Sequence, residues 1–221
     1  MPDRNQQLIT FFCGLPSTGK TSIARGLLPL LKPHYPGIRH VDIDDEFRLP
    51  FMGMPHPHPE ESQEIEEKDV AQMSEAWNML FFWMERALTR NWPYIFTATM
   101  SSKKWGQDRL WALRDKFPQA TFRVISCFVD VPPDSDVERE IISERIEKRK
   151  REGYTGATNS YERWVVLRNR YEPIVVPHLR VDTTRPPDQL PYEIGQAITY
   201  IVKPQPHDQP NQSLIDHHMT P

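Results

Sequence analysis

The sequence predicts an α/β fold, a three-layer sandwich in which helices cover both faces of a mostly parallel, five-stranded sheet. Three observations support this prediction. Short apolar runs alternate with longer segments of helical periodicity, glycine or proline follows several of the apolar runs, and a length of 221 residues suits one such domain. Because a helix follows each of the predicted strands, right-handed crossovers place the strands side by side and parallel.

The predicted strands are short runs of the kind that is buried on both faces of a parallel sheet. They are Leu8–Cys13, Arg39–Ile43, Tyr94–Thr99, Thr121–Val131 and His178–Val181. The predicted helices carry apolar residues three and four positions apart, which gives each helix a face to bury. They are Lys20–Leu31, Glu61–Asn91, Lys103–Lys116, Asp136–Arg151, Ser160–Tyr171 and Leu190–Ile201. Residues 1–202 thus form the predicted domain, and the polar residues 203–221 are predicted to be a disordered tail.

The composition argues against several classes of protein. A net charge of −3 lacks the positive excess of a general nucleic-acid coat or of a polybasic membrane anchor. The two cysteines, Cys13 and Cys127, cannot form a disulfide framework or a four-ligand zinc site by themselves. The sequence has no long apolar run and no signal-peptide pattern, so we expect a cytoplasmic protein without membrane contact.

The segment Gly14–Thr21 reads GLPSTGKT, a full G-x-x-x-x-G-K-T between a predicted strand and a predicted helix. The glycines let the backbone turn its N–H groups toward phosphate oxygens, and the helix N-terminus adds positive charge. In such a loop Lys20 reaches the β- and γ-phosphates of ATP, and the Thr21 hydroxyl holds Mg²⁺. The predicted nucleotide-binding residues are Gly14, Leu15, Pro16, Ser17, Thr18, Gly19, Lys20, Thr21 and Ser22.

An acidic cluster follows the second predicted strand, where the sequence reads HVDIDDEFR. The carboxyl ends of parallel strands line the ligand crevice of an open sheet. A carboxylate there can accept the proton of an attacking hydroxyl or hold a metal-bound water. Asp44 is the predicted base, with Asp42 as the second candidate, and the residues leave the choice among Asp42, Asp44 and Asp45 open.

The segment SERIEKRKREGYTG places Arg145 and Arg149 four residues apart, on one face of a helix. Gly153 and Gly156 then permit a mobile turn, so residues 145–160 are predicted to form a lid. A lid that carries arginines can exclude water and neutralise the charge of a transferred phosphoryl group. Arg145 and Arg149 are therefore predicted catalytic residues.

These motifs together resemble the small P-loop kinases, a group that includes gluconate kinase, adenylylsulfate kinase, chloramphenicol phosphotransferase, zeta toxin and the kinase domain of phage polynucleotide kinase. The local likeness is greatest to the polynucleotide kinase type, in a D-D-aromatic-R segment that here is Asp44, Asp45, Phe47 and Arg48 with one extra residue. A D-V-P strand end, Asp130–Pro132, precedes the arginine pair in both. The resemblance spans about residues 8–175 and implies a P-loop NTPase fold with a helical lid, with Arg48 binding the substrate.

The third predicted strand departs from the polynucleotide kinase pattern, because TATMSSKK lacks an acidic residue and is more similar to the sugar-acid kinase segment. Thr99 and Lys103, with Ser101 and Lys104 beside them, are therefore predicted to face the acceptor. A nucleic-acid acceptor is compatible with a local basic channel but is not favoured.

The resulting hypothesis is an ATP:Mg²⁺ phosphotransferase that acts on a hydroxyl of a small-molecule or nucleotide-type acceptor, as a monomer or a homodimer. Two alternatives stay open. One is a regulatory module that binds and slowly hydrolyses ATP without an acceptor, and the other is a toxin-like nucleotide-sugar kinase. The sequence does not identify the acceptor or the role of the His/Pro-rich segment 50–61.

Overall fold

A computed structural model describes residues 7–42, 64–97, 104–153, 158–186 and 189–205. Its strands are β1 Leu8–Cys13, β2 Arg39–Asp42, β3 Tyr94–Thr97, β4 Thr121–Phe128 and β5 Leu179–Asp182. Its helices are α1 Lys20–Leu31, α2 Glu64–Thr89, α3 Lys104–Lys116, α4 Asp136–Arg151, α5 Tyr161–Asn169 and α6 Pro191–Val202. The order of strand and helix along the chain is the predicted one.

The five strands form one sheet in the order β2-β3-β1-β4-β5. Every pair of neighbouring strands is parallel, so the sheet is parallel throughout rather than mostly so. Strand β1 is central, and all six of its residues are buried. Because the strand order reverses beside β1, the loop after β1 lies at the switch point where open sheets of this kind bind ligands.

Two apolar clusters cover the two faces of the sheet and confirm the predicted three layers. One packs α2 and α3 against residues of β1 and β4 that include Phe11 and Val124. The other packs α1 and α6 against the opposite face, around Phe12 and Ile125. The alternation of neighbouring residues between the faces follows from the two-residue period of a strand.

Helices α4 and α5 pack against each other through a smaller cluster that includes Ile142, Ile146 and Trp164. Leu15, which follows β1 directly, packs against this cluster as well. The helix pair that contains the arginines of the predicted lid therefore rests on the loop after β1. None of the described helices is long and apolar enough to cross a membrane.

Several predicted boundaries are wrong. Helix α2 ends at Thr89 instead of Asn91, and β5 and α6 each lie one residue further along the chain than predicted. The larger differences are in β4 and α5. Strand β4 ends at Phe128 instead of Val131, since its pairing with β5 ends at the Phe128–Asp182 step. Beyond that step, the backbone N–H of Asp130 donates to the Thr184 hydroxyl at 2.8 Å instead of continuing the ladder. Helix α5 begins after Ser160, whose hydroxyl accepts a hydrogen bond from the backbone N–H of Arg163. The helix ends at Asn169, two residues before the predicted end at Tyr171.

A buried arginine, Arg123 of β4, joins the sheet to the end of α6. Only 2% of its surface is exposed. Its guanidinium donates to the carbonyls of Tyr200 at 2.9 Å, Phe122 at 3.0 Å and Lys203 at 3.1 Å. Two of these carbonyls belong to the last turn of the helix, where orphan acceptors need donors. Arg123 thereby fixes the C-terminal end of α6 against β4.

Replacing Arg123 with methionine should lower the free energy of unfolding by about 3 kcal/mol, because three carbonyls lose a charged donor inside the protein. Urea denaturation followed by circular dichroism measures the change. Arg86→Met is the matched control, since Arg86 is exposed and its described contact is the ring of Trp83. Equal stability of the two variants would contradict the role of Arg123.

Candidate functional site

The loop after β1 adopts a conformation that requires glycine at its first residue. Gly14 has φ of 139°, and a Cβ there would lie 2.2 Å from the carbonyl oxygen of Cys127. Ser17 and Gly19 also have positive φ, at 62° and 80°. These values turn the chain back over the end of β1 before α1 begins at Lys20. The local motif thus folds as the sequence predicts.

The carbonyl groups of residues 14–18 all accept hydrogen bonds from side chains. Lys20 Nζ donates to Gly14 O at 2.9 Å and to Leu15 O at 2.7 Å. Trp164 Nε1 donates to Pro16 O at 2.8 Å, and Arg145 donates to Ser17 O at 3.2 Å. The Thr183 hydroxyl donates to Thr18 O at 2.7 Å.

This arrangement leaves several amide groups of the loop for a ligand, while the Thr18 N–H donates to Leu15 O at 3.4 Å. In a trans peptide the carbonyl of one residue points away from the N–H of the next. The N–H groups of Ser17 and Gly19 therefore point away from carbonyls that already accept hydrogen bonds. The N–H groups of Lys20 and Thr21 lie in the first turn of α1, where N–H groups have no acceptor within the helix. Ser17 Oγ is buried without a described partner. Inward N–H groups, a helix N-terminus and a lysine are donors that fit the phosphates of a nucleotide.

Lys20 is 8% exposed, and its ammonium lies among the loop carbonyls. Burial raises the pKa of the neighbouring Cys127 thiol to about 12, and the charge of Lys20 acts in the opposite direction. Cys127 is therefore a protonated thiol at neutral pH, which agrees with the inert role expected of a buried cysteine. Cys13 is buried and free as well.

Thr21 and Asp42 form a pair that joins α1 to the end of β2. The Thr21 hydroxyl donates to Asp42 Oδ2 at 2.7 Å. A hydroxyl and one carboxylate are the ligands that Mg²⁺ uses in proteins when the phosphates of a substrate complete its coordination. Thr21 and Asp42 would thus hold the metal beside the loop. In the described part of the chain, no three His, Cys, Asp or Glu side chains gather into a metal site that would work without phosphates.

The Arg145 side chain extends from α4 into the gap between the loop after β1 and the loop after β5, which we call the Arg145 notch. Besides Ser17 O, its guanidinium donates to the carbonyls of Thr183, Thr184 and Arg185 in the loop after β5. Burial lowers the pKa of Arg145, while Glu144 and Asp182 act in the opposite direction. Arg149, one turn further along α4, is also partly buried.

Two side chains that hydrogen-bond to the loop after β1 were not predicted from the sequence. Trp164 reads as one of several aromatic core residues, and Thr183 as one of two threonines after a strand. Each donates to a loop carbonyl from a distant part of the chain, 148 and 165 residues away respectively. No local pattern marks either residue, because the contact exists only once α5 and β5 are packed.

Several predicted site residues lie outside the described residues: Asp44, Asp45, Arg48, Thr99, Ser101 and Lys103. The same holds for the His/Pro-rich segment 50–61, for Gly156 of the predicted lid and for most of the predicted tail. Their proposed roles stay predictions. The described site contains the loop, Thr21, Asp42, Arg145 and Arg149.

Comparisons with known proteins agree with this geometry. No curated protein matches the chain. Among solved structures, a sugar kinase from Janibacter sp. has a TM-score of 0.57 at 18% identity, covering 89% of this chain and 96% of its own. Chaetomium thermophilum Kti12, in complex with ADP-AlF3, has a TM-score of 0.56 at 17% identity, covering 88% and 100%. The Mycobacterium tuberculosis APS kinase CysC, in complex with AMPPNP and APS, has a TM-score of 0.54 at 15% identity, covering 90% and 99%.

These three structures share the fold with this chain, and their likeness confirms the resemblance to small P-loop kinases that the motifs indicated. The sequence itself matches the AAA_33 family, described as an AAA domain, over residues 9–174. That range includes residues 14–21, which we call the phosphate loop. It also includes Asp42, Arg145, Arg149 and Trp164. The chain belongs to the AAA_33 family and has a P-loop kinase-like fold.

Proposed function

We propose that the protein is an ATP-dependent phosphotransferase that moves the γ-phosphoryl group of ATP to a hydroxyl of a small-molecule or nucleotide-type acceptor. The observation that supports this most is the set of side-chain donors on the carbonyls of residues 14–18, which frees the loop amides for phosphates. The Thr21–Asp42 pair beside the loop supports a magnesium ion in the same place. The kinase structures of the same fold are consistent with this activity.

The proposed roles follow from the positions of the groups. Lys20 would exchange its loop carbonyls for the β- and γ-phosphate oxygens. Thr21 and Asp42 would hold Mg²⁺, which would neutralise phosphate charge. The acceptor oxygen forms the new bond to the γ-phosphorus, and the bond from that phosphorus to the bridging oxygen breaks. The electron pair of that bond leaves on ADP, and the hydroxyl proton passes to a carboxylate.

Asp44 is the proposed base, because the contact of Asp42 with Thr21 supports a metal-binding role for Asp42. Arg145 and Arg149 are proposed to stabilise the charge on the transferred group. Arg145 also holds the loop after β5 against the phosphate loop through its four carbonyl contacts. Positioning and electrostatics supply most of the catalysis in such a reaction.

Lys20→Met should lower phosphoryl transfer by roughly 100-fold or more, because the variant loses the cation that binds the β- and γ-phosphates. The assay follows labelled ATP with a panel of nucleosides, oligonucleotides, sugar acids and antibiotics as acceptors. Lys32→Met, at the exposed end of α1, is the control and should keep full activity. Full activity of Lys20→Met would reject the role of Lys20. A wild-type protein that hydrolyses ATP but transfers to no acceptor would favour the regulatory alternative.

Asp42→Asn should raise the Mg²⁺ concentration needed for half-maximal activity by about tenfold, since an amide is a weaker ligand for a hard cation than a carboxylate. Titration of Mg²⁺ at saturating ATP measures this change. Asp115→Asn, on the exposed side of α3, should leave the titration unchanged. If Asp42→Asn abolished transfer at every Mg²⁺ concentration while metal-dependent nucleotide binding stayed normal, Asp42 would be the base instead.

Arg145→Met should weaken binding of an ATP analogue by about tenfold, because two loops around the nucleotide lose their common donor. Isothermal titration calorimetry measures the dissociation constant. Arg151→Met, at the exposed end of α4, serves as the control. Unchanged affinity with a lowered kcat would instead assign Arg145 to the transition state alone.

A further inference from the structure

A cavity of about 530 Å³ lies beside the phosphate loop, between the end of β4, helix α5 and the segment 171–180. Its volume lies within the roughly 300–1,000 Å³ that small-molecule sites occupy. The loop contributes Leu15 and Thr18 to its wall. None of the roles proposed above for the nucleotide uses this cavity.

Part of the cavity wall belongs to the face of the sheet that α2 and α3 cover. Ile174, in its wall, packs with the cluster of α2 and α3. Arg145 instead reaches Thr183 and Thr184, which follow β5 on the way to α6. The cavity and the Arg145 notch therefore adjoin the phosphate loop from two directions. A molecule in the cavity would contact the loop at Leu15 and Thr18.

The walls of the cavity are mostly apolar and include the aromatic rings of Phe128, Trp164 and Tyr171. The Tyr171 hydroxyl is hydrogen-bonded to the side chain of Ser126, and burial raises the pKa of Tyr171, so this hydroxyl is neutral. Such walls suit a flat heterocyclic ring, and the two hydroxyls supply hydrogen bonds to its edge.

Of the two arginines among the described residues that line the cavity, one is left for a ligand. Arg168 is bonded to the carboxylates of Glu138 at 2.5 Å and Asp134 at 2.7 Å, so its charge is already balanced. Arg180 is exposed and lies over the ring of Phe128, with its Cζ 4.2 Å from the ring centroid. Within the described residues no carboxylate pairs with Arg180. A guanidinium held against a ring, next to an apolar cavity, is suited to bind a phosphate or carboxylate.

We propose that this cavity is the binding site of the phosphoryl acceptor and that the acceptor is a nucleoside monophosphate, with its base between the apolar walls and its phosphate on Arg180. This inference rests on the proposed function and narrows its acceptor class. A ribose hydroxyl of the bound nucleotide receives the γ-phosphoryl group of ATP, ADP leaves with the bond electrons, and the hydroxyl proton passes to a carboxylate of the acidic cluster.

The test is calorimetric binding of the 5′-monophosphates of uridine and guanosine, with Mg²⁺ and AMPPNP saturating the phosphate loop. Uridine, guanosine and gluconate are the comparison ligands. At least one monophosphate should bind tenfold or more tightly than its nucleoside, since only the monophosphate engages Arg180. Arg180→Gln should raise the dissociation constant of the monophosphate to that of the nucleoside and leave nucleoside binding unchanged. Arg39→Gln, at the N-terminal end of β2, is the matched control.

A second variant fills the cavity. Val131→Trp should raise the dissociation constant of the monophosphate at least tenfold while AMPPNP still binds, which also shows that the variant is folded. Val137→Trp is its control, because Val137 is exposed on α4 and does not line the cavity.

Three results would overturn the inference. They are the absence of monophosphate binding, preferential binding of gluconate, and binding that neither Arg180→Gln nor Val131→Trp changes. Phosphoryl transfer that survives in Val131→Trp would reject the cavity but keep the phosphotransferase. Monophosphate binding that both variants weaken, without transfer to any acceptor, would keep the cavity as a site and reject the phosphotransferase.

Discussion

The phosphate loop depends on the orientation of the carbonyls of residues 14–18, and the rest of the site depends on that loop. In a trans peptide the carbonyl and the N–H point in opposite directions, so a donor that fixes the carbonyl also fixes the direction of the N–H. Here the donors are the side chains of Lys20, Arg145, Trp164 and Thr183, together with the Thr18 hydroxyl on Leu15 O. Four separate parts of the chain thus hold one short loop in the shape that phosphates require.

This arrangement couples the predicted lid to the loop. Helices α4 and α5 each donate one hydrogen bond to it, and they are joined to each other by the buried carboxylate of Glu138. That carboxylate accepts from the Tyr161 hydroxyl at 2.7 Å and from Arg168 at 2.5 Å. Because these hydrogen bonds join the two helices, a shift of either helix would move a donor of the loop. The helices that would exclude water from the reaction therefore also position the phosphate-binding backbone.

The Thr21–Asp42 pair shows how much of the site the sequence predicts. The acidic segment after β2 was enough to predict carboxylates at the sheet edge, and Asp42 lies there. The sequence offered Asp42 as the second candidate base and also allowed a carboxylate of this cluster to hold a metal-bound water, without deciding between the two roles. Its contact with Thr21 depends on β2 lying at the edge of the sheet, two strands away from β1, with α1 crossing back over it.

The sequence by itself determined the features that local chemistry controls. The strand, turn and helix around Gly14–Thr21 are contiguous in the chain. The residues of this one segment therefore determine the φ angles of the turn, the start of the helix and the position of the lysine. The order of strands and helices follows likewise from periodicities of a few residues. The tertiary structure alone decided which distant side chains complete the site. Trp164 and Thr183 became donors, and Phe128 and Arg180 came to face one cavity, because packing brings together residues whose separation along the chain carries no signal.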